Sequence, residues 1–135
     1  MRKILLDTYA WIEYLEGSEE GEEVKDFLEN DDKAEIYTSI MTVAELSDAF
    51  HRGDVDTELK WEDILDFVQL NSSIVKPDVK NMASAGSLKV RRREEFEDFG
   101  LIDAIILESS KMAEAELMTG DPHLEGETNA ISLGR

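Results

Sequence analysis

The chain opens on a short unbroken apolar run, Ile4, Leu5 and Leu6, which ends on an acid, Asp7, before the pattern changes period. Residues 3–6 read as a buried strand, and residues 9–15 and 20–28 as helices separated by the glycine-containing EGSEEG. Residues 36–40 predict a second strand. From Thr42 the apolar positions Val43, Leu46 and Phe50 fall at helical spacing, with Gly53 placed to end the helix, and Asp56 is expected to cap a long helix running through Leu70. SSIVKP predicts a brief strand stopped by Pro77, residues 78–91 a helix, and RREEFEDFG a charged connection ending at Gly100. Residues 101–112 are expected to form the most buried helix. They lead into AELMTGDPHL, a strand of about four residues followed by a Gly-Asp-Pro turn, and the closing AISL reads as a small strand.

Strands that alternate with helices imply right-handed crossovers and a parallel sheet covered on both faces. The expectation is a single α/β domain over residues 1–135, with three α/β/α layers around a central, mostly parallel sheet of four to five strands. Length and a 41% hydrophobic content suit one core. No apolar run approaches the roughly 18 residues of a membrane span, and the first residues lack a secretory pattern, so a cytoplasmic protein with no membrane association is expected. The absence of cysteine excludes disulfides, thiolate zinc sites and thiol nucleophiles, leaving oxygen or imidazole to hold any metal.

Charge complicates this picture. Thirty-two acids against 14 bases give a net charge of -18, a surface that repels nucleic acid at long range and also repels itself. Either a cytoplasm of high ionic strength or a basic partner covering the acidic face would relieve that repulsion.

With acids so frequent, location has to carry the inference. Asp7 leaves the first strand at its carboxyl end, where open parallel sheets place their ligand crevice, and Asp121 does the same for the strand at 116–119. Glu45 lies in TVAEL on the helix after the second strand, and Asp103 interrupts GLIDAIIL on a helix face shared with Ile106 and Leu107. Each has an ordinary explanation: a helix cap for Asp7, a favourable dipole position for Asp103, a solvent edge for Glu45, a turn for Asp121. Together they are what a converging acidic pocket requires. Such a pocket needs its repulsion cancelled, and oxygen ligands without cysteine point to a hard ion, Mg²⁺ with Mn²⁺ as a substitute. The chemistry suggested is metal-assisted phosphodiester hydrolysis.

LLDTYAWIEYL, SIMTVAEL, GLIDAIIL and LMTGDPHL, in that order and across the whole chain, resemble the PIN-domain nucleases, and among them most a VapC-type ribonuclease toxin. The resemblance implies a PIN-like fold, Mg²⁺-dependent cleavage of an RNA substrate, a homodimer, and inhibition by a small VapB-type antitoxin, with no DNA binding by this chain itself. It places the acidic pocket on Asp7, Glu45, Asp103 and Asp121, with Thr119 as an associated hydroxyl. Asp7 and Asp103 would be the principal metal ligands, Glu45 would help hold the metal or orient its water, and Asp121 would be outer or variable. The sequence departs from the family at Leu124, where an aromatic is common, and in its acidity.

KVRRR at 89–93 is a place for RNA phosphates to land through Arg91 and Arg92, although EEFED follows directly and offers local ion pairs. His51 and His123 are too isolated in the sequence to form a metal motif; His123 shares a turn with Asp121 and is placed to contact substrate. Trp11 and Trp61 sit at helical spacing among apolar residues and read as packing. Alternative functions are a PIN-domain nuclease of RNA processing without an antitoxin, a phosphoacceptor signalling domain, and a catalytically dead binding module. The signalling reading fails on a single acid in LLDTY, Pro77 after the middle strand, and no lysine in AISLGR.

Overall fold

The computed structural model describes residues 1–30, 34–127 and 129–134. Five strands form the sheet: β1 (Arg2–Leu6), β2 (Ala34–Ser39), β3 (Ser73–Val75), β4 (Glu116–Thr119) and β5 (Ala130–Ser132). Their spatial order is β3-β2-β1-β4-β5, and every pairing is parallel. The helices are α1 (Thr8–Glu16), α2 (Glu19–Lys25), α3 (Ile40–His51), α4 (Trp61–Asn71), α5 (Val79–Arg92) and α6 (Leu101–Met112).

The side chains of β1 show why the sheet needs cover on both faces. Ile4, Leu5 and Leu6 are fully buried, and successive residues of a strand point to opposite faces. Leu5 packs with Leu88 of α5 and Ala104, Ile105 and Leu107 of α6, while Ile4 and Leu6 pack with Trp11, Leu46, Ile64 and Val68 of α1, α3 and α4. This is the three-layer arrangement, with all five strands parallel rather than most of them. Residues 104–110 are all buried, which makes α6 the central helix of its layer as its composition indicated.

Three element boundaries differ from the sequence reading. Asp56 does not cap a long helix: α4 starts at Trp61, with Lys60 in the cap position and no side-chain capping bond. The residues before it have other partners, because the Asp56 N–H donates to Glu16 Oε2 at 3.0 Å and the Leu59 N–H to Thr57 Oγ1 at 3.2 Å, while Val55 is buried. The helix expected over 20–28 is α2 followed by a π-helical turn, Asp26–Asn30. Ile40 opens α3 instead of closing β2, since the Ser39 hydroxyl accepts from the Met41 N–H at 3.2 Å and so caps the helix.

Trp11 is fully buried, its indole N–H donating to Thr38 Oγ1 at 3.0 Å, and Trp61 packs against Phe50 with 5.9 Å between ring centroids. The chain runs from β1 outward through β2 to β3, then returns to place β4 on the other side of β1. The crevice at such a reversal lies beyond the carboxyl ends of β1 and β4, where Asp7 and Asp121 sit.

Candidate metal centre

Asp7 is both cap and pocket wall. Its Oδ1 accepts the Ala10 N–H at 2.8 Å, so it does start α1, and it also lines a cavity of about 130 Å³ with Thr8, Tyr9, Glu45, Asp103, Ile106, Asp121 and Leu124. The four acids singled out in the sequence therefore face one cavity. They arrive from four elements: the end of β1, α3, the first turn of α6, and the turn after β4.

Hydroxyls and backbone amides hold these carboxylates. Thr119, fully buried, accepts the Asp121 N–H at 2.9 Å and donates to the Asp7 carboxylate, tying the two strand ends together. Thr8 donates to Glu45 Oε1 at 2.5 Å, and its hydroxyl lies 3.3 Å from that of Thr42. The Gly100 N–H donates to Asp103 Oδ2 at 3.2 Å. Sequence reasoning missed Thr8, whose signal was its place directly after Asp7.

Burial and mutual repulsion dominate the electrostatics. Asp7 is 3% exposed, and desolvation raises its pKa from 3.8 to about 7, with Asp121 and Asp103 adding repulsion and the bonds from Thr119 and Ala10 pulling it back. Desolvation likewise raises Glu45 and Asp103, the former also through Asp103 and Asp121, the latter through Asp121 against the opposing pull of His123. A bound divalent cation replaces this mutual repulsion with attraction, and an all-oxygen donor set of this kind fits a hard ion.

His123, isolated in the sequence, is not isolated in space: ligand atoms of Asp103, Asp121 and His123 lie within 4.8 Å of one another, a group that could hold a metal. Gly120 admits the Tyr9 ring, since a Cβ there would come within 2.2 Å of Tyr9 Cε1, and the Tyr9 hydroxyl donates to Glu20. Leu124 is buried at the cavity wall. Of the basic cluster, Arg91 is exposed, whereas Arg92 pairs with Glu127 at 3.0 Å, donates to the His123 carbonyl at 3.2 Å and stacks on Phe96 and Phe99.

The sequence matches the family model for the PIN domain over residues 4–126. No curated protein sequence gives a significant match. Among solved structures, the chain is similar to VapBC2 from Rickettsia felis bound to a DNA fragment from their promoter, at 17% identity and a TM-score of 0.68 over 96% of each chain. It is similar to a toxin-antitoxin complex from Klebsiella pneumoniae, at 20% identity and a TM-score of 0.66, again over 96% of each chain. It also resembles VapC20 from Mycobacterium tuberculosis, a sarcin-ricin loop cleaving toxin, at 13% identity and a TM-score of 0.67 over 94% of this chain and 98% of that one. At these identities the structural likeness speaks for the fold, and the family match spans nearly all of that fold, strand ends and acids included: the chain belongs to the PIN-domain family.

Proposed function

We propose that this protein is a Mg²⁺-dependent endoribonuclease, the toxin of a VapBC-type pair, acting in the cytoplasm as a homodimer restrained by a small VapB-type antitoxin. The observation that carries the reading is the cavity in which Asp7, Glu45, Asp103 and Asp121 meet, with three of the four carboxyls held above their ordinary pKa by burial and one another. Asp7 and Asp103 would be the main ligands, with Glu45 and Asp121 completing the set. Mg²⁺ held by these carboxylates would supply an acidified water and offset charge developing on the phosphodiester. Glu45, fixed by Thr8, faces the same cavity and is placed to take a proton from the attacking water. Roughly four waters' worth of space suits a hydrated ion but not a nucleotide, so RNA lies across the mouth. Toxin-antitoxin assemblies among the similar structures support an antitoxin partner.

The direct test is cleavage of a panel of structured RNAs. EDTA is expected to silence the protein and Mn²⁺ to restore it; cleavage that continues in EDTA would sink the reading.

Helix α5 supplies the docking charge in so acidic a chain. Its sequence, VKNMASAGSLKVRR, contains four bases and no acid. With Arg92 engaged locally, exposed Arg91 at its carboxyl end is the phosphate contact. Arg91→Ala should weaken RNA binding and reduce the slope of log affinity against log salt by about one. Filter binding across a salt series measures this, and an unchanged slope removes Arg91 from the interface.

A further inference from the structure

We infer that His123 is a positioning residue: clamped between Asp98 and Asp121, it fixes the Asp121 carboxylate for the cation, with the α5–α6 connection as its mount. The inference rests on the metal-centre reading above and adds residues to it that neither the acids nor the family match assigns.

Both nitrogens of the His123 ring face carboxylate oxygens. Nδ1 lies 3.1 Å from Asp121 Oδ1 and Nε2 lies 2.9 Å from Asp98 Oδ1, while the His123 backbone N–H donates to that same Asp121 oxygen at 2.9 Å. The backbone N–H and ring Nδ1 of His123 thus both address Oδ1 of Asp121 and leave Oδ2 for a cation. The ring cannot turn away without losing these contacts and its edge-on packing against Phe96, 5.2 Å between centroids, and Phe99, 6.4 Å. Arg92 completes the mount, gripping the His123 carbonyl and Glu127 while its guanidinium lies over the same two phenylalanines.

Every part of this mount outside the 121–127 turn comes from RREEFEDFG or the end of α5. That segment, charged and without periodicity, carries Asp98, Phe96 and Phe99 to Asp121, the acid of the four that lies in the turn beyond its strand. A carboxylate on a turn has rotamers to lose when it binds an ion, and an imidazole bonded to a second carboxylate removes them beforehand. With both ring nitrogens facing carboxylate oxygens, the role assigned to His123 is to orient Asp121, and direct coupling of a ring nitrogen to the cation is the outcome that would make it a ligand instead.

The test is Mn²⁺ binding to the full chain, followed by electron paramagnetic resonance, for the wild type, His123→Leu, His123→Asn and Asp98→Ala. His123→Leu is expected to weaken Mn²⁺ binding about tenfold. His123→Asn, whose amide nitrogen can reach Asp121 as Nδ1 does, should recover most of the loss. Asp98→Ala should weaken binding by a smaller factor with its melting temperature unchanged, because the Asp98 side chain is 79% exposed. Wild-type affinity in His123→Leu, or a spin-echo coupling from a nitrogen bound directly to Mn²⁺, would overturn the inference. Should the Leu variant fail to fold, Asp98→Ala decides, and wild-type affinity there overturns it equally. A wild type that takes up no Mn²⁺ brings down the metal centre itself, whereas a binding wild type with unaffected variants removes only the role of His123.

Discussion

Asp7→Asn is expected to abolish RNA cleavage and at the same time to raise the melting temperature above pH 7. Loss of activity follows because the acid faces the cavity from the end of the central strand, and its removal should cost more than the roughly 10–100-fold typical of outer-shell partners. The gain in stability follows from proton linkage. Unfolded, Asp7 titrates near 3.8; folded, it titrates near 7, so between those values the native protein holds a proton that the unfolded chain has released. Native stability therefore falls as pH rises from about 4 to about 7, and stays low above that. The gap sets a ceiling on the order of 4 kcal/mol, and asparagine removes the charge while still capping α1.

At pH 8 a gain of several degrees is expected, shrinking toward nothing at pH 4. Metal reverses the ranking, because a cation that binds only the folded wild type stabilises it by mass action. Adding Mg²⁺ should raise the melting temperature of the wild type and leave Asp7→Asn where it was. Thermal melts at the two pH values, with and without Mg²⁺, check all of this. Normal cleavage by the variant would refute the assignment, and identical melts at pH 8 would refute the account of the buried charge.

The second large effect lies away from the acids. Gly21→Ala is expected to destabilise the fold by about 3 kcal/mol, at the upper end of overpacking costs. A Cβ on Gly21 would lie 2.1 Å from the Glu13 carbonyl oxygen, 2.7 Å from its carbon and 3.1 Å from Tyr14 Cα. All three are backbone atoms of α1, so no side chain can swing aside; α1 and α2 must separate. Because α1 begins at Asp7 and carries Thr8 and Tyr9, the separation reaches the cavity as well. A fall in melting temperature on the order of 10 °C is expected, together with weaker Mg²⁺ binding. A variant that melts with the wild type would show that the two helices do not cross this closely.

Gly21 also shows where sequence reading stops. EGSEEG reads as a break between helices, and the break is there, at Gly17 and Ser18, but Gly21 belongs to α2 and is glycine because another backbone touches it. Nothing local marks that. The same holds for Asp56, a good cap residue by composition whose N–H goes instead to Glu16, 40 residues away. His123 is the clearest case: its turn partner Asp121 is legible in the sequence, but Asp98, which faces its other ring nitrogen from the far side of α6, is not.

What the chain determines by itself is periodic or terminal: strand and helix order, the parallel three-layer class, and the four acids at strand ends and on apolar helix faces. Those features repeat within a few residues, so burial of one face imposes them wherever the rest of the chain goes. The tertiary structure decided which side chains hold those acids: Thr119 reaches Asp7 because β4 lies beside β1, Thr8 reaches Glu45 because α3 packs beside α1, and Asp98 reaches His123 only once α6 is folded between them. A hydrogen bond is directional and short, and no pattern along one strand or helix records where a partner from another will stop.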